Sequence, residues 1–334
     1  MRRYLPLIVV VVLVGAGALT WSQLRTSTTT TSTTTTKPVP HYPTAPLTGL
    51  VDRSSQSVQR PVLTVKIENT PDALPQWGVD QADVVYEEIV NGGITRLAAI
   101  FNSQAPAKVG PVRSVRPTDT QIVWPLGGIF AYSGGAAYAV ASISTAPVKL
   151  IDESRAGAAM FRDPSRYAPH NLYAVAAGLF AIGGTPVPPP ALFTYRSATT
   201  APIGAKVSSV VVPFPSIYPV TWTWNALTLS WDRTLFGAAD VTGTHVRESP
   251  KNVVVMFVNY VNGIGTLASY GDLQGHGAAT IFTDGRIING TWSRGSSKSD
   301  VVTYQRANGK PIALTPGQTW VELLDAGVAL TVKK

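Results

Sequence analysis

Three arginines give this chain its clearest potential for binding chemistry. Arg113 and Arg116 stand three positions apart in a segment rich in glycine and proline, and Arg96 precedes them. Guanidinium groups bind carboxylates and phosphates through paired N–H donors, so converging arginines predict a site for an anionic group. The alternative is that these arginines form structural ion pairs with nearby acids, at Glu87, Glu88, Asp119 or Asp163.

Glu87 and His170 are the candidates for acid–base chemistry. A buried glutamate can act as a general base, but an arginine beside it favours the ionised form. We therefore expect Glu87 to orient Arg96, and only alternatively to act on a substrate. His170 stands in Pro169-His-Asn171 before a predicted helix, where it and Asn171 could bind a ligand or the histidine could move a proton. A purely structural histidine is the other interpretation.

A glycine turn offers backbone donors to the same site. Ser133, Gly134 and Gly135 follow a predicted buried strand, residues 129–132, and precede a predicted small-residue helix, residues 136–144. A strand, a glycine turn and a helix amino terminus can together cradle an anion. Ser133 could instead act as a nucleophile, but the chain has no GxSxG motif. A hydroxyl donor in the turn requires fewer coincidences.

The histidine and cysteine content argues against several other kinds of site. The histidines show no His-Glu-x-x-His spacing, so we expect no metal, and no motif indicates a cofactor. Without any cysteine there is no disulfide, thiolate nucleophile or lipidated cysteine. The four histidines are His41, His170, His245 and His276.

Tryptophans in the second half of the chain allow two interpretations. Exposed indoles can stack on sugar rings, whereas buried ones fill the space between β layers. Trp222 and Trp224 share one face of a strand at period two, which favours packing. We expect the same of Trp231 and Trp292.

The elements that must position the charged residues begin with a hairpin at residues 83–101. If Gly92-Gly93 forms a two-residue loop, Glu87 and Arg96 lie diagonally on one face and can form an ion pair. A loop longer or shorter by one residue would instead pair Arg96 with Glu88.

Apolar periodicity and turn residues predict the remaining elements. Helices are expected at residues 117–124, 136–144 and near 173–180. Further strands are expected at residues 61–69, 129–132, 149–152, 207–214, 220–231, 252–260, 278–282, 286–292 and 320–323, with a hairpin turn at Asp284-Gly285. The fold class is therefore an α+β (mixed α/β) amino-terminal domain followed by a mostly β carboxy-terminal domain.

The amino terminus indicates export. Two arginines precede an apolar run and then a Thr/Ser tract, so residues 1–22 are interpreted as a signal peptide or amino-terminal membrane anchor and residues 23–46 as a tether. Both alternatives stay open, although a flexible tether favours the anchor. The folded chain divides into residues 47–190 and residues 191–334, because a proline-rich linker separates two different patterns.

Half of the net charge of +8 comes from the amino-terminal segment. Four cations in the amino-terminal 37 residues leave +4 on the exported part. This argues against a nucleic-acid partner and allows weak attraction to anionic envelope polymers, or ordinary solubility. With 45% apolar and 14% charged residues, the composition is that of a globular protein.

Several separated motifs resemble those of the YerB-like proteins, envelope lipoproteins of Gram-positive bacteria whose main domain has no established function. The motifs are Tyr86-Glu87, Gly92-Gly-Ile-Thr-Arg96, Gly110-Pro-Val-Arg-Ser114 with Arg116, Pro169-His-Asn171, Gly275-His-Gly277, Phe282-Thr-Asp-Gly285 and Gly290-Thr-Trp292. The resemblance implies an exported, membrane-attached, two-domain protein with Glu87, Arg96, Arg113, Arg116 and His170 as a shared polar signature. It implies no reaction. The absence of a lipidated cysteine places anchoring on residues 5–19.

These observations together favour a membrane-tethered binding or accessory protein outside the cytoplasm. Its partner would be an anionic envelope polymer or peptide, held by Arg96, Arg113 and Arg116 with help from the 133–135 turn. One alternative is a hydrolase or transferase acting on cell-wall material through His170 or Glu87. Another is a structural partner of a different envelope protein.

Overall fold

The computed structural model describes residues 41–183, 187–215 and 219–334. The interpretation of residues 1–22 as a signal peptide or anchor, and most of the predicted tether, lie outside the described residues. Tyr42–Lys334 form one unit, and Ala45 is already buried in it. In these described ranges, no helix combines the length and the apolar character needed to cross a membrane.

Strands dominate, and every described helix precedes residue 183. The helices are α1 (Pro117–Val123), α2 (Ala137–Ile143), α3 (Glu153–Ala156) and α4 (Ala176–Ile182). The strands of the first half are β1 (Leu63–Glu68), β2 (Val84–Ile89), β3 (Thr95–Phe101), β4 (Ile129–Ala131), β5 (Lys149–Ile151), β6 (Met160–Arg162) and β7 (Leu172–Ala174). Those of the second half are β8 (Thr194–Tyr195), β9 (Ala205–Lys206), β10 (Ser209–Val212), β11 (Val220–Asn225), β12 (Ser230–Leu235), β13 (Ala238–Ala239), β14 (Asn252–Val261), β15 (Tyr270–Asp272), β16 (Gly275–Thr283), β17 (Arg286–Arg294), β18 (Thr303–Gln305), β19 (Ala313–Leu314), β20 (Thr319–Asp325) and β21 (Thr331–Lys333).

The predicted fold class is confirmed, with mixed α and β structure first and mostly β structure after it. Two local predictions were wrong. The segment expected to be one strand at residues 220–231 is a hairpin of β11 and β12. The helix expected from Tyr173 begins later, as α4, because residues 172–174 form β7, which pairs with β6.

One large sheet organises the described part of the chain, with twelve strands. Its main order is β18-β17-β16-β14-β20-β2-β3-β1-β4-β5, and β9 and β15 pair with β17 and β14. Strand β20, from near the carboxyl end, lies between β14 and β2 and runs parallel to both. Strands from both predicted domains therefore share one sheet, while the domain boundary near residue 190 stays a prediction.

A second sheet of described strands packs against one face of the large one. Its order is β13-β12-β11-β10-β21. The rings of Trp222 and Trp320 lie 5.2 Å apart between the two sheets, and those of Trp231 and Phe282 lie 5.6 Å apart. The expectation that Trp222, Trp231 and Trp292 pack in the core is confirmed, since all three are buried.

The opposite face of the large sheet carries helix α1. Buried side chains of this helix bind the backbone near β15: Thr118 Oγ1 accepts from the Gly271 amide at 3.0 Å, and Gln121 Oε1 accepts from the Leu273 amide at 2.7 Å. These bonds hold the helix start, and the arginine segment before it, in place.

Candidate functional site

Alternation along three neighbouring strands collects charge on the helix-covered face of the sheet. Arg96 of β3 lies directly opposite Glu68 of β1 on one side and Glu88 of β2 on the other. Lys66 shares the face with Glu68 because side chains on one face of a strand recur every two residues. Sequence reasoning did not select Lys66 or Glu68, although both stand on the polar side of their alternating strand.

The segment that carries the other arginines is irregular but held by its backbone. The Arg113 amide donates to the Lys66 carbonyl at 2.8 Å, and the Arg113 carbonyl accepts from the Ser133 amide at 3.0 Å. The Val115 amide donates to the Gly134 carbonyl, also at 3.0 Å. The segment therefore runs between β1 and the glycine turn, which brings two separately predicted parts of the site together.

Glu68 links an arginine to the histidine. Its Oε1 lies 3.1 Å from a terminal nitrogen of Arg113, and its Oε2 lies 2.9 Å from Nδ1 of His170. The Arg113 side chain is 20% exposed and that of His170 14% exposed, whereas Glu68 is buried. The buried carboxylate thus holds these two partly accessible side chains in place.

Arg116 and Arg96 complete the cluster. Arg116 donates through Nε and a terminal nitrogen to Oδ1 of Asn91, at 3.1 and 2.6 Å, so it also anchors the turn between β2 and β3. Arg96 donates to the Ser114 carbonyl at 2.9 Å. We call Arg96, Arg113 and Arg116 the arginine cluster.

The cluster has more cationic capacity than the described residues satisfy. Arg96 is only 7% exposed. Burial, reinforced by repulsion from Arg116 and Arg113, lowers its pKa to about 9, although Glu68 and Glu88 act in the opposite direction. Among the described residues, Arg96 forms no ion pair. Its Nε, like that of Arg113, is buried without a hydrogen-bond partner there.

Lys66 bridges two acids that lie near the arginines, and Oε2 of Glu88 is left without a hydrogen-bond partner among the described residues. Its ammonium group contacts Glu88 and lies 2.8 Å from Oδ1 of Asp119, and all three side chains are fully buried. The other oxygen of Asp119 accepts from the Arg116 amide at 2.6 Å, which confirms that Asp119 stabilises the start of α1. Burial raises the pKa of Asp119 to about 6. Arg113 therefore pairs with Glu68, an acid that the sequence analysis did not name, and among the described residues no arginine of the cluster forms an ion pair with Glu87, Glu88, Asp119 or Asp163.

Glu87 requires a correction, because it lies on the opposite face of the sheet. Its Oε2 accepts from a terminal nitrogen of Arg233 at 2.6 Å, and its Oε1 accepts from Thr95 Oγ1 at 2.7 Å. The β2–β3 register pairs Arg96 with Glu88, as the alternative loop length had predicted. The connection runs over residues 90–94 instead of two glycines, and this shifts the register by one residue. Glu87 is fully buried and orients Arg233, not Arg96.

The side chain of Asn171 forms its hydrogen bonds with residues outside the arginine cluster. Its Oδ1 accepts from Arg162 at 2.8 Å, and its Nδ2 donates to the Arg166 carbonyl at 3.3 Å. It is buried and supports the loop that presents His170. These bonds use part of the hydrogen-bonding capacity of the amide, and the expectation that Asn171 contacts a ligand stays a prediction.

The glycine turn lies beside the cluster, but part of its donor capacity is used. The Ser133 amide is bonded to Arg113, and α2 has only seven residues. Gly134 adopts a φ of +98°, and no atom lies within 4 Å of where its Cβ would be. Backbone donation by residues 133–135 to an anion stays a prediction. No group of three or more acidic or histidine side chains in the described ranges could hold a metal ion.

Comparisons with known proteins agree with this architecture. Two family models match, both described as "Protein of unknown function (DUF3048)". The model of the N-terminal domain matches residues 47–182, and the model of the C-terminal domain matches residues 210–321. A Bacillus subtilis protein named "Putative lipoprotein YerB" is 27% identical over 305 residues, covering 87% of this chain and 88% of that protein. The crystal structure of YerB from Bacillus subtilis matches with a TM-score of 0.74 at 22% identity, covering 87% of this chain and 100% of that chain. The structural likeness shows a shared fold.

Proposed function

The chain belongs to the YerB-like family, and from that premise we propose that it is a binding or accessory module that holds an anionic envelope polymer or peptide in its arginine cluster. The printed name of its Bacillus subtilis relative, "Putative lipoprotein YerB", is consistent with a membrane-anchored location outside the cytoplasm. At that location, anionic polymers of the cell envelope would be available as ligands.

One observation carries the proposal: among the described residues, only one of the three guanidinium groups forms an ion pair, that of Arg113 with Glu68. Lys66 bridges Glu88 and Asp119, so the cluster and Lys66 together bring four cations against three carboxylates. The Nε atoms of Arg96 and Arg113 have no partner among the described residues. Bringing like charges together in a partly buried place costs free energy, which a bound carboxylate or phosphate would offset through charge-assisted hydrogen bonds.

Arg113 offers the sharpest test because its side chain is partly exposed and borders the cluster. Arg113→Gln should weaken binding of an anionic polymer purified from Bacillus subtilis cell walls by about tenfold, since it removes a charge-assisted contact. Isothermal titration calorimetry measures the affinity, with poly-glutamate as the peptide probe. The melting temperature should fall by less than about 4 °C, which corresponds to about 1 kcal/mol in a protein of this size.

Arg53→Gln is the matched control. It removes the same charge from an exposed arginine whose guanidinium group lies over the Tyr42 ring, outside the cluster. If both variants bind alike, the proposal fails. A large loss of melting temperature in Arg113→Gln alone would assign the arginine a structural role instead.

The Glu68–His170 pair favours a second candidate, a cell-wall hydrolase or transferase. A carboxylate bonded to Nδ1 orients an imidazole and supports a proton transfer at its other nitrogen. Turnover of cell-wall fragments that disappears in His170→Gln but persists in Tyr167→Phe, a change in the same loop, would establish this candidate. Absence of turnover by the unmodified protein would count against this candidate. Glu87 is not a candidate here because it is buried on the other face.

A further inference from the structure

An exposed aromatic side chain stands beside the arginine cluster. Tyr167 is 67% exposed, a larger fraction than any other aromatic residue in the described ranges. Its ring contacts that of His170, with the centroids 5.5 Å apart and the ring planes at 81°. His170 is bonded to Glu68, and Glu68 pairs with Arg113. A continuous series of contacts therefore joins the exposed ring to a guanidinium group of the cluster.

We propose that Tyr167 stacks on a sugar ring, and that the ligand of the arginine cluster is a saccharide carrying carboxylate or phosphate groups. This inference rests on the proposed function, because it names the ligand class of the same site. It adds Tyr167 as a binding residue and excludes anionic chains that contain no ring.

The first step in the argument is that a face of the Tyr167 ring is open. The two rings are nearly perpendicular, so the edge of one meets the face of the other. This contact with His170 covers at most one face of the phenol ring. A ring covered on its second face as well could not leave 67% of the residue exposed. At least one face therefore borders solvent, next to an imidazole that is itself 14% exposed.

The second step is the rigidity of the loop that carries the ring. Arg166, the residue before Tyr167, donates to the carbonyl groups of residues 72–74 and to the hydroxyl group of Tyr173 at 2.8 Å. The His170 amide donates to the Tyr167 carbonyl at 3.0 Å. Because the loop is held on both sides of the ring, a ligand would stack on Tyr167 without first ordering it.

The third step is the ligand class that this combination selects. An aromatic face stacks on the apolar face of a sugar ring, whereas guanidinium groups bind carboxylate or phosphate through charge-assisted hydrogen bonds. A saccharide with anionic substituents presents both groups close together. Poly-glutamate and other anionic chains without rings satisfy the arginines alone.

Two other polymers combine rings with negative charge. Single-stranded nucleic acid stacks successive bases on several aromatic side chains, whereas the described residues of this contact series supply one exposed ring, that of Tyr167. An acidic peptide with aromatic side chains has no hydroxyl groups around its rings. His170 uses Nδ1 for Glu68, so its other nitrogen is a polar group beside the ring that a sugar hydroxyl can bond. A saccharide therefore uses more of the site than either alternative.

The experiment measures binding to the full chain by isothermal titration calorimetry. The anionic saccharide probes are oligogalacturonate and phosphorylated dextran. The others are unmodified dextran, poly-glutamate, a random copolymer of glutamate and tyrosine, and an oligothymidylate. We expect both anionic saccharides to bind about threefold to tenfold more tightly than poly-glutamate of the same charge, because they add a stacking contact. Unmodified dextran should not bind, since it leaves the arginines unpaired.

Variants separate the ring from the charge. Tyr167→Ala should lower the affinity for the two anionic saccharides about tenfold and leave poly-glutamate binding within about twofold. Tyr167→Phe keeps the ring and should retain saccharide binding within about threefold. Arg113→Gln should weaken the binding of both kinds of probe. Tyr42→Ala, which removes another exposed aromatic side chain, is the matched control and should bind as the unmodified protein does.

The outcomes distinguish this inference from the proposed function. If no anionic probe binds, both fail. If poly-glutamate binds through Arg113 but the anionic saccharides bind no more tightly, the proposed function stands and the saccharide class is refuted. Unchanged saccharide binding by Tyr167→Ala has the same meaning. Tighter binding of the glutamate–tyrosine copolymer or of the oligothymidylate, dependent on Tyr167, would assign the ring to a peptide or a nucleic acid and would also overturn the inference.

Discussion

At the scale of single residues, Glu68 is the acid that positions the accessible side chains of the site. It is the acid through which Arg113 and His170 meet, although His170 stands 102 positions further along the chain. With Glu88 and Asp119 bound to Lys66, one carboxylate serves two partly exposed side chains. Replacing Glu68 would therefore change the positions of both, which makes it a positioning residue for whatever anion the cluster binds.

A second group of acids, on the other face of the sheet, predicts an unusual pH dependence of stability. Glu248 is buried, neither of its oxygens has a hydrogen-bond partner among the described residues, and Asp240 and Asp80 lie near it. Burial raises the pKa of Glu248 well above its usual 4.5. The folded state thus keeps this proton where the unfolded state loses it. The stabilisation from binding the proton is complete below pH 4.5 and is lost as pH rises towards the folded pKa.

We expect Glu248→Gln to remove part of this pH dependence. The glutamine mimics the protonated acid, so the variant should match the unmodified protein near pH 4 and exceed its free energy of unfolding at pH 8. One such group contributes at most about 1.4 kcal/mol per pH unit between its two pKa values. Urea unfolding at both pH values measures the difference. Glu153→Gln, at an exposed pair, is the control; a variant equally destabilised at both pH values would contradict the prediction.

At the scale of elements, the arginine segment shows how an irregular stretch can be rigid. Its backbone bonds to β1, to the glycine turn and to β7, where the Val112 amide donates to the Leu172 carbonyl at 2.7 Å. The Gly110 carbonyl accepts from the Trp77 amide at 2.8 Å. Irregular backbone can be buried only when its polar groups find such partners. The guanidinium groups of this segment are therefore carried on a fixed support.

Gly110→Ala should disturb that support. The residue has a φ of +141°, and a Cβ would lie 2.8 Å from the Val112 nitrogen and 3.0 Å from the Leu172 carbonyl oxygen. Backbone strain and overpacking together should cost about 3 kcal/mol. Chemical denaturation measures the loss. Gly309→Ala is the matched control, because its φ is +75° and its Cβ would meet nothing within 4 Å; it should cost about 1 kcal/mol. Equal losses in the two variants would show that Gly110 is not constrained by its neighbours.

At the scale of the whole molecule, strand pairing and a buried ion pair join the two halves of the chain. Strand β20 pairs with β2 along five residue pairs, and Arg233 of β12 pairs with Glu87 of β2 where both side chains are fully buried. Removing the second half would take away the strand that pairs with β2 and would expose side chains of the first half that the second sheet now covers. Exposing one buried Val, Leu or Ile side chain costs about 1.5–3 kcal/mol, so the loss of several is a large part of the stability of an ordinary domain.

The intact residues 42–334 should therefore unfold in one cooperative transition, and residues 42–190 alone should show none. Differential scanning calorimetry and circular dichroism measure both. A fragment of residues 42–190 that melts cooperatively near the temperature of the intact protein would support two independently folding domains, as the composition change near residue 190 suggests.

Much of the secondary structure of this protein could be predicted from its sequence, because the physical causes are local. Period-two alternation identified most strands, and Pro117 and Asp119 marked the start of α1. The anion site indicated by the clustered arginines stays a proposal. Alternation tells which side chains share a face, but not which strands become neighbours. Sequence alone therefore placed Arg96, Arg113 and Arg116 near one another without finding Glu68.

Only the tertiary structure decided the partners of the buried acids. The choice between Glu87 and Glu88 as the neighbour of Arg96 depended on a one-residue difference in loop length, which the spacing of glycines did not determine. The partner of Glu87, Arg233, lies 146 positions away and meets it only because β20 joins the two halves of the sheet and a second sheet packs over them. Side-chain period is a property of each strand, whereas register and strand order arise from packing among segments distant in sequence.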